Sequence, residues 1–69
     1  MMTSGDRIRI YRSGEVFVPG DPKTRIVALA GRLGTVIDMQ PSGCTGGALV
    51  AFPDGEYLVP YAMLEMAPA

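Results

Sequence analysis

Gly31-Arg32-Leu33-Gly34-Thr35-Val36-Ile37-Asp38 is the stretch on which the fold turns. Two glycines three apart lead into a β-branched run. Glycine is free to adopt positive φ, so the pair suits a tight turn or a bulge. Thr35, Val36 and Ile37 favour a pleated strand. The stretch therefore reads as a strand entered through a sharp corner, the device by which a small sheet bends onto itself.

Outward from that corner the chain breaks into short apolar runs and turn signals. Upstream, Arg7, Arg9 and Tyr11 alternate with Ile8 and Ile10, the period-2 pattern of a half-buried strand. Residues 1–5 read as a frayed start. Residues 12–24 contain Gly14, Pro19, Gly20, Asp21 and Pro22 and read as one long loop. Val16-Phe17-Val18 inside it is either a brief strand or a plug under the sheet. Residues 26–30 read as an extended or single-turn approach to the corner.

Downstream, residues 34–39 form the second strong strand, and residues 40–47, with Pro41 and three glycines, form a loop. Residues 48–52 are an unbroken apolar strand. Pro53-Asp54-Gly55 is a tight turn, residues 56–59 are the partner strand, and Pro60 opens one turn of 3₁₀ helix over 60–63. Residues 64–66 make a final short strand. The expectation is an all-β, single-domain chain over residues 1–69: a small five-stranded SH3-like barrel with one 3₁₀ turn.

Sixty-nine residues allow one domain. A chain of this size buries roughly 60% of its unfolded surface, so its core is marginal. Small domains often add a disulfide, a metal or a partner. Cys44 is the single cysteine and there is no histidine, so an intrachain disulfide and a Cys/His zinc site are both excluded. Self-association or a partner protein remains as the staple. A composition 48% hydrophobic and 19% charged, apolar for so short a chain, points the same way. Residues 48–52 and the Met-bearing tail 63–66 are the expected contact surface, because a strand apolar at every position has one face too many for a single core.

The net charge of −1, with one lysine and five arginines, offers a phosphate backbone no general attraction, so nucleic acid is not expected as a partner. No apolar run approaches the length that spans a bilayer, and residues 1–5 carry no signal-peptide pattern. With an unpaired cysteine, these features read as a cytoplasmic protein without a membrane partner.

Gly5-Asp6-Arg7-Ile8-Arg9, a long loop, and then Gly31-Arg32-Leu33-Gly34-Thr35-Val36 resemble the SH3-like barrel of nitrile hydratase β subunits. Thr24-Arg25-Ile26 stands where that family carries a Thr-Arg pair shortly before the corner. The resemblance covers residues 5–9 and 24–37. It implies docking on a larger partner, as does the similarity of this barrel to the small accessory subunits of photosystem I and of ferredoxin–thioredoxin reductase. The glycine corner also resembles the KOW motif of ribosomal and transcription proteins. Gly5-Asp6-Arg7 and Pro60-Tyr61-Ala62-Met63-Leu64-Glu65 are similar to segments of the plasmid-borne type II dihydrofolate reductases, which are tetramers with a shared pore. That family's Val-Gln-Ile-Tyr before the proline is Glu56, Tyr57, Leu58 and Val59 here, and the lysines ending its first strand are Ile10 and Tyr11. The resemblance thus implies altered or absent activity.

No histidine-based nucleophilic site can be built. Cys44 has no cation or helix N-terminus beside it in sequence and reads as incidental. The glycine-rich loop around it lacks the Lys-Ser/Thr ending of a phosphate cradle. The carboxylates are scattered singly, Asp54 belonging to its turn. No catalytic residue, metal ligand or cofactor site is therefore assigned. The candidate binding residues are Tyr11, Tyr57 and Tyr61, with Phe17 in the long loop and Arg25, tyrosine and arginine being enriched in binding hot spots. The reading is a non-catalytic protein-binding or accessory module that self-associates. A type II reductase-like oligomer with altered or absent activity and a KOW-type nucleic-acid binder are the alternatives.

Overall fold

Seven strands and one 3₁₀ turn form among residues 2–42 and 45–68, the part of the chain that the computed structural model describes, with Pro22 described through its backbone. In chain order they are β1 (Arg7–Ile10), β2 (Gly14–Val18), β3 (Asp21–Ala28), β4 (Leu33–Asp38), β5 (Gly47–Phe52), β6 (Gly55–Pro60), the 3₁₀ turn Tyr61–Met63, and β7 (Leu64–Met66). They make a single antiparallel sheet ordered β3-β2-β6-β5-β4-β1-β7, which is not closed. The all-β class and the late 3₁₀ turn are as the sequence predicts. The expected strand count of five is corrected to seven.

β2 and the first half of β3 come from the stretch that reads as a loop. Pro19 and Gly20 are the corner of a hairpin: Val18 pairs with Asp21, and Gly20 has φ +79°, which a type II turn requires at its second corner residue. Val16 then turns inward and is 1% exposed. Beyond the turn the register shifts between Phe17 and Val18, so that Phe17 opposes Arg25 while Val18 opposes Asp21. The Asp21 carboxylate accepts the backbone N–H groups of Lys23, at 3.1 Å, and Thr24, at 3.3 Å, holding this bulged segment. Pro22 is tolerated because β3 is an edge strand. The extended reading of residues 26–30 holds through Ala28.

Residues 3–6 are also more ordered than a frayed start. The Gly5 N–H donates to the Val36 carbonyl at 2.7 Å, and the Asp6 carboxylate accepts the Thr3 N–H at 2.9 Å. Cys44, and the incidental role read for it, lies outside the described residues.

Alternation along the strands builds one core. Ile8, Ile10, Ala48, Val50 and Val59 are fully buried, and Val16, Ala28, Val36, Phe52, Met63 and Leu64 complete the cluster, so every strand and the 3₁₀ turn contribute. The two ends of the open sheet share this core through Ala28 of β3 and Leu64 of β7. The sheet is thus strongly bent, with an inner and an outer face.

The glycine corner works in two different ways. Gly31 turns the chain with φ +95° just before β4. Gly34 has no positive φ and lies within β4. A Cβ there would sit 2.7 Å from Val50 Cγ1, 2.9 Å from the Ala51 carbonyl oxygen and 2.9 Å from Phe52 Cε1. Gly34 is therefore glycine because β5 crosses too close for a side chain. No helix among the described residues is long and apolar enough to cross a membrane.

Candidate functional site

The same alternation that sends Val16, Val50 and Val59 inward sends Phe17, Leu49 and Leu58 to the outer face. Phe17 opposes Leu58, Leu58 opposes Leu49, and Phe17 opposes Arg25 on its other side. Arg25, Phe17, Leu58 and Leu49 thus form a single cross-strand row over β3, β2, β6 and β5. Phe17, Leu58 and Leu49 are half-buried by one another and by their neighbours. The Arg25 guanidinium carbon lies 5.8 Å from the centroid of the Phe17 ring, within reach of a cation–π contact. Among the described residues no carboxylate makes an ion pair with Arg25.

Beside the row is a shallow depression of about 70 Å³, lined by Phe17, Leu58 and Pro60 and by Thr45, Gly46 and Gly47 of the β4–β5 connection. Gly47 makes the closeness possible, since a Cβ there would stand 2.8 Å from the Val59 carbonyl oxygen. Tyr61 follows Pro60 and anchors the 3₁₀ turn to the same connection. Its N–H donates to Gly46 at 3.0 Å, and its hydroxyl donates to the Met39 carbonyl. The residue stays 41% exposed.

Two of the five sequence-predicted binding residues, Phe17 and Arg25, therefore share one surface; Tyr61 adjoins it only through its backbone bond to Gly46, and Tyr11 and Tyr57 lie elsewhere. Tyr11 is 49% exposed after β1, its N–H bonded to Met63 at 3.0 Å and its ring 5.9 Å from the Arg12 guanidinium carbon. Tyr57 shares its face with Val59 and packs against the core. Its ring lies 6.0 Å from that of Phe52, and its hydroxyl donates to Asp54 at 3.2 Å.

Asp54 also holds an ion pair with Arg32, whose guanidinium carbon stands 4.9 Å over the Phe52 ring. This clamp joins the glycine corner to the β5–β6 turn. The hydrogen bond from Arg32 holds the Asp54 carboxyl below the usual carboxylate range. Loss of solvation, and then the charge of Asp54, pushes the Tyr57 hydroxyl above the usual tyrosine value. The clamp pairs its charged groups with one another at the surface, the Asp54 side chain being 55% exposed.

Sequence reasoning missed Leu49, Leu58, Pro60 and the Thr45-Gly46-Gly47 wall as one surface. The signal was present for Leu58: with Val59 beside it on a strand, one of the two must face outward. The expected self-contact surface is corrected in its second half. Leu49 and Ala51 do face out from β5, but Met63 and Leu64 are 5% and 9% exposed, buried in the chain's own core. Of the apolar side chains in that tail only Met66, at 52%, remains available.

Among the described residues no three His, Cys, Asp or Glu side chains come together as a metal site would require. Compared with protein-family models, with curated proteins and with solved structures, the chain matches none.

Proposed function

We propose that this chain is a non-catalytic protein-binding or accessory module of the SH3-like barrel type, which self-associates and which holds a partner on its outer face. The strand order supports the barrel reading. With the β2–β3 hairpin set aside as an arm of the first connection, five strands remain, ordered β7-β1-β4-β5-β6, with the 3₁₀ turn before the last strand of the chain.

The observation that carries the function is the outer row Arg25–Phe17–Leu58–Leu49 beside its depression. At about 70 Å³ the depression is far below the ~300–1,000 Å³ of small-molecule and cofactor pockets. It suits one apolar side chain of a protein partner. Arg25 adds a cation over an aromatic ring and has no carboxylate of its own among the described residues, so the fitting segment is apolar with an acidic residue beside it.

The test is affinity capture from the native host with the wild-type chain and three variants. A partner retained by wild type and by Tyr11→Ser, and lost with Phe17→Ser and with Arg25→Ala, supports this surface. Capture indifferent to Phe17 and Arg25 overturns it.

A further inference from the structure

We propose that two copies of this chain pair edge to edge through residues 25–29, the open half of β3 and the residue that follows it, antiparallel about a two-fold axis, so that one sheet runs across both. This rests on the self-association within the proposed function and gives it a surface and a partner.

β3 ends the sheet and pairs only with β2. A terminal strand presents a row of backbone N–H and C=O groups to any strand that can align with it, and proteins normally blunt such edges with prolines, charges and bulges. One half of β3 is blunted in this way. Asp21 and Lys23 are charged, Pro22 has no backbone N–H, and the Asp21 carboxylate holds the bulge. The other half is not. Arg25, Ile26, Val27 and Ala28 run in regular register against Phe17, Val16, Glu15 and Gly14. Val27 and Leu29, at 62% and 64%, are the most exposed of the large apolar side chains described.

The open half is complementary to itself. An antiparallel pair centred on Val27 sets Val27 opposite Val27, Ile26 opposite Ala28, and Arg25 opposite Leu29. No like charges fall directly across from each other, the arrangement that would be repulsive. The same pairing centred on Arg25 would oppose two guanidinium groups, and one centred further back meets the bulge. A two-fold contact uses the β3 edge of both copies and closes at two. Pairing β3 of one copy with β7 of the next would leave a free edge at each step and propagate, but β7 offers only three residues.

Area sets the strength. A standard interface takes about 800 Å² from each partner, close to a fifth of the 4320 Å² surface of this chain. A five-residue ladder over 25–29 covers less, which makes this a concentration-dependent pair.

Sedimentation equilibrium from about 5 to 500 µM reads the result. The expected outcome is a mass rising from 7.3 kDa toward twice that value, with amide exchange at 26–28 slowing as concentration rises. Val27→Lys should weaken association at least about tenfold. Met66→Lys, on the opposite edge, should leave it unchanged. A 7.3 kDa mass at every concentration overturns both the pairing and self-association. A dimer indifferent to Val27→Lys overturns the edge pairing and leaves self-association standing. Masses growing past two copies overturn the closed two-fold. Should Val27→Lys fail to fold, amide exchange on the wild-type chain decides: protection at 26–28 that does not depend on concentration rules the edge out.

Discussion

Two arginines in this molecule stack on two phenylalanines, and they do different things. Arg32 stands 4.9 Å from the Phe52 ring, is ion-paired to Asp54, and shares that carboxylate with the Tyr57 hydroxyl. Arg25 stands 5.8 Å from the Phe17 ring on the outer face and pairs with no carboxylate among the described residues. The first is paired within the chain, cation and hydroxyl both meeting one carboxylate. The second presents a cation and an aromatic ring with one side unanswered. The same pair of residue types thus becomes a clamp or a contact according to whether a third group completes it.

The sharpest way to break the paired side is beneath it. A Cβ at Gly34 would meet Phe52 Cε1, the ring that carries Arg32, together with Val50 and the Ala51 backbone. Gly34→Val should therefore lower the unfolding free energy by about 3 kcal/mol, as overpacking does where the backbone cannot retreat. Gly31→Ala is the foil. Its Cβ would meet nothing within 4 Å, but φ is +95°, so the cost is about 1–2 kcal/mol of backbone strain. Urea midpoints measure both. If Gly34→Val melts with Gly31→Ala or above it, close packing at Gly34 is not what holds the corner.

The next effect lies in the clamp. Arg32→Ala removes the stacking on Phe52 and should cost about 1 kcal/mol, read from the same denaturation curves. A loss no larger than that of Arg25→Ala would erase the contrast between the two arginines.

Alternation and turn chemistry made most of this fold legible. Ile8 and Ile10 against Arg7 and Arg9, the Pro53-Asp54-Gly55 turn and the Pro60 turn all stand where their residue types place them. What stayed hidden was distance. Pro19-Gly20 reads equally as a loop or as a hairpin corner until the strands beside it find partners, and β2 finds one of its partners in β6, some forty residues away. Gly34 failed in the same way. Its sequence suggested a backbone reason, and the actual reason is an approaching strand. The site shows the limit more plainly. Tyr57 and Tyr61 are equally aromatic on paper, and only the tertiary contacts put one in the clamp and the other against the β4–β5 connection.

Titration separates the clamp by direction. Asp54 is held below its usual value in the folded chain, chiefly by Arg32, and Asp21 is held low chiefly by the Thr24 hydroxyl. For a lowered carboxyl the contribution to stability is complete above the unfolded value, about 4, and is lost as pH falls through the folded value. Tyr57 is raised, so its contribution is complete below about 10 and is lost as pH rises beyond it. The part of the melting temperature that these three groups supply should therefore be flat between these limits and fall on either side. In Arg32→Ala the acid limb should become shallower, with the part due to Asp21 remaining. An acid limb unchanged by the variant would detach Asp54 from Arg32.

The smallest expected change in stability is at Arg25, and it is the most informative for function. Its guanidinium lies on a side chain exposed at the surface and its ring contact is long, so Arg25→Ala should stay within about 0.5 kcal/mol of wild type. Phe17 keeps its place between Val16 and Val18 because β2 pairs through its backbone with β3 and β6, not through Arg25. The fold is then a constant, and any loss of partner capture reports the contact surface itself. If the guanidinium answers an acidic residue of the partner, capture by the wild-type chain should weaken as salt is raised. Arg25→Lys, which keeps the charge but not the planar stacking, should recover part of what Arg25→Ala loses. Full capture by Arg25→Ala, or a destabilisation approaching that of Arg32→Ala, would make the two arginines equivalent and remove the distinction between clamp and contact.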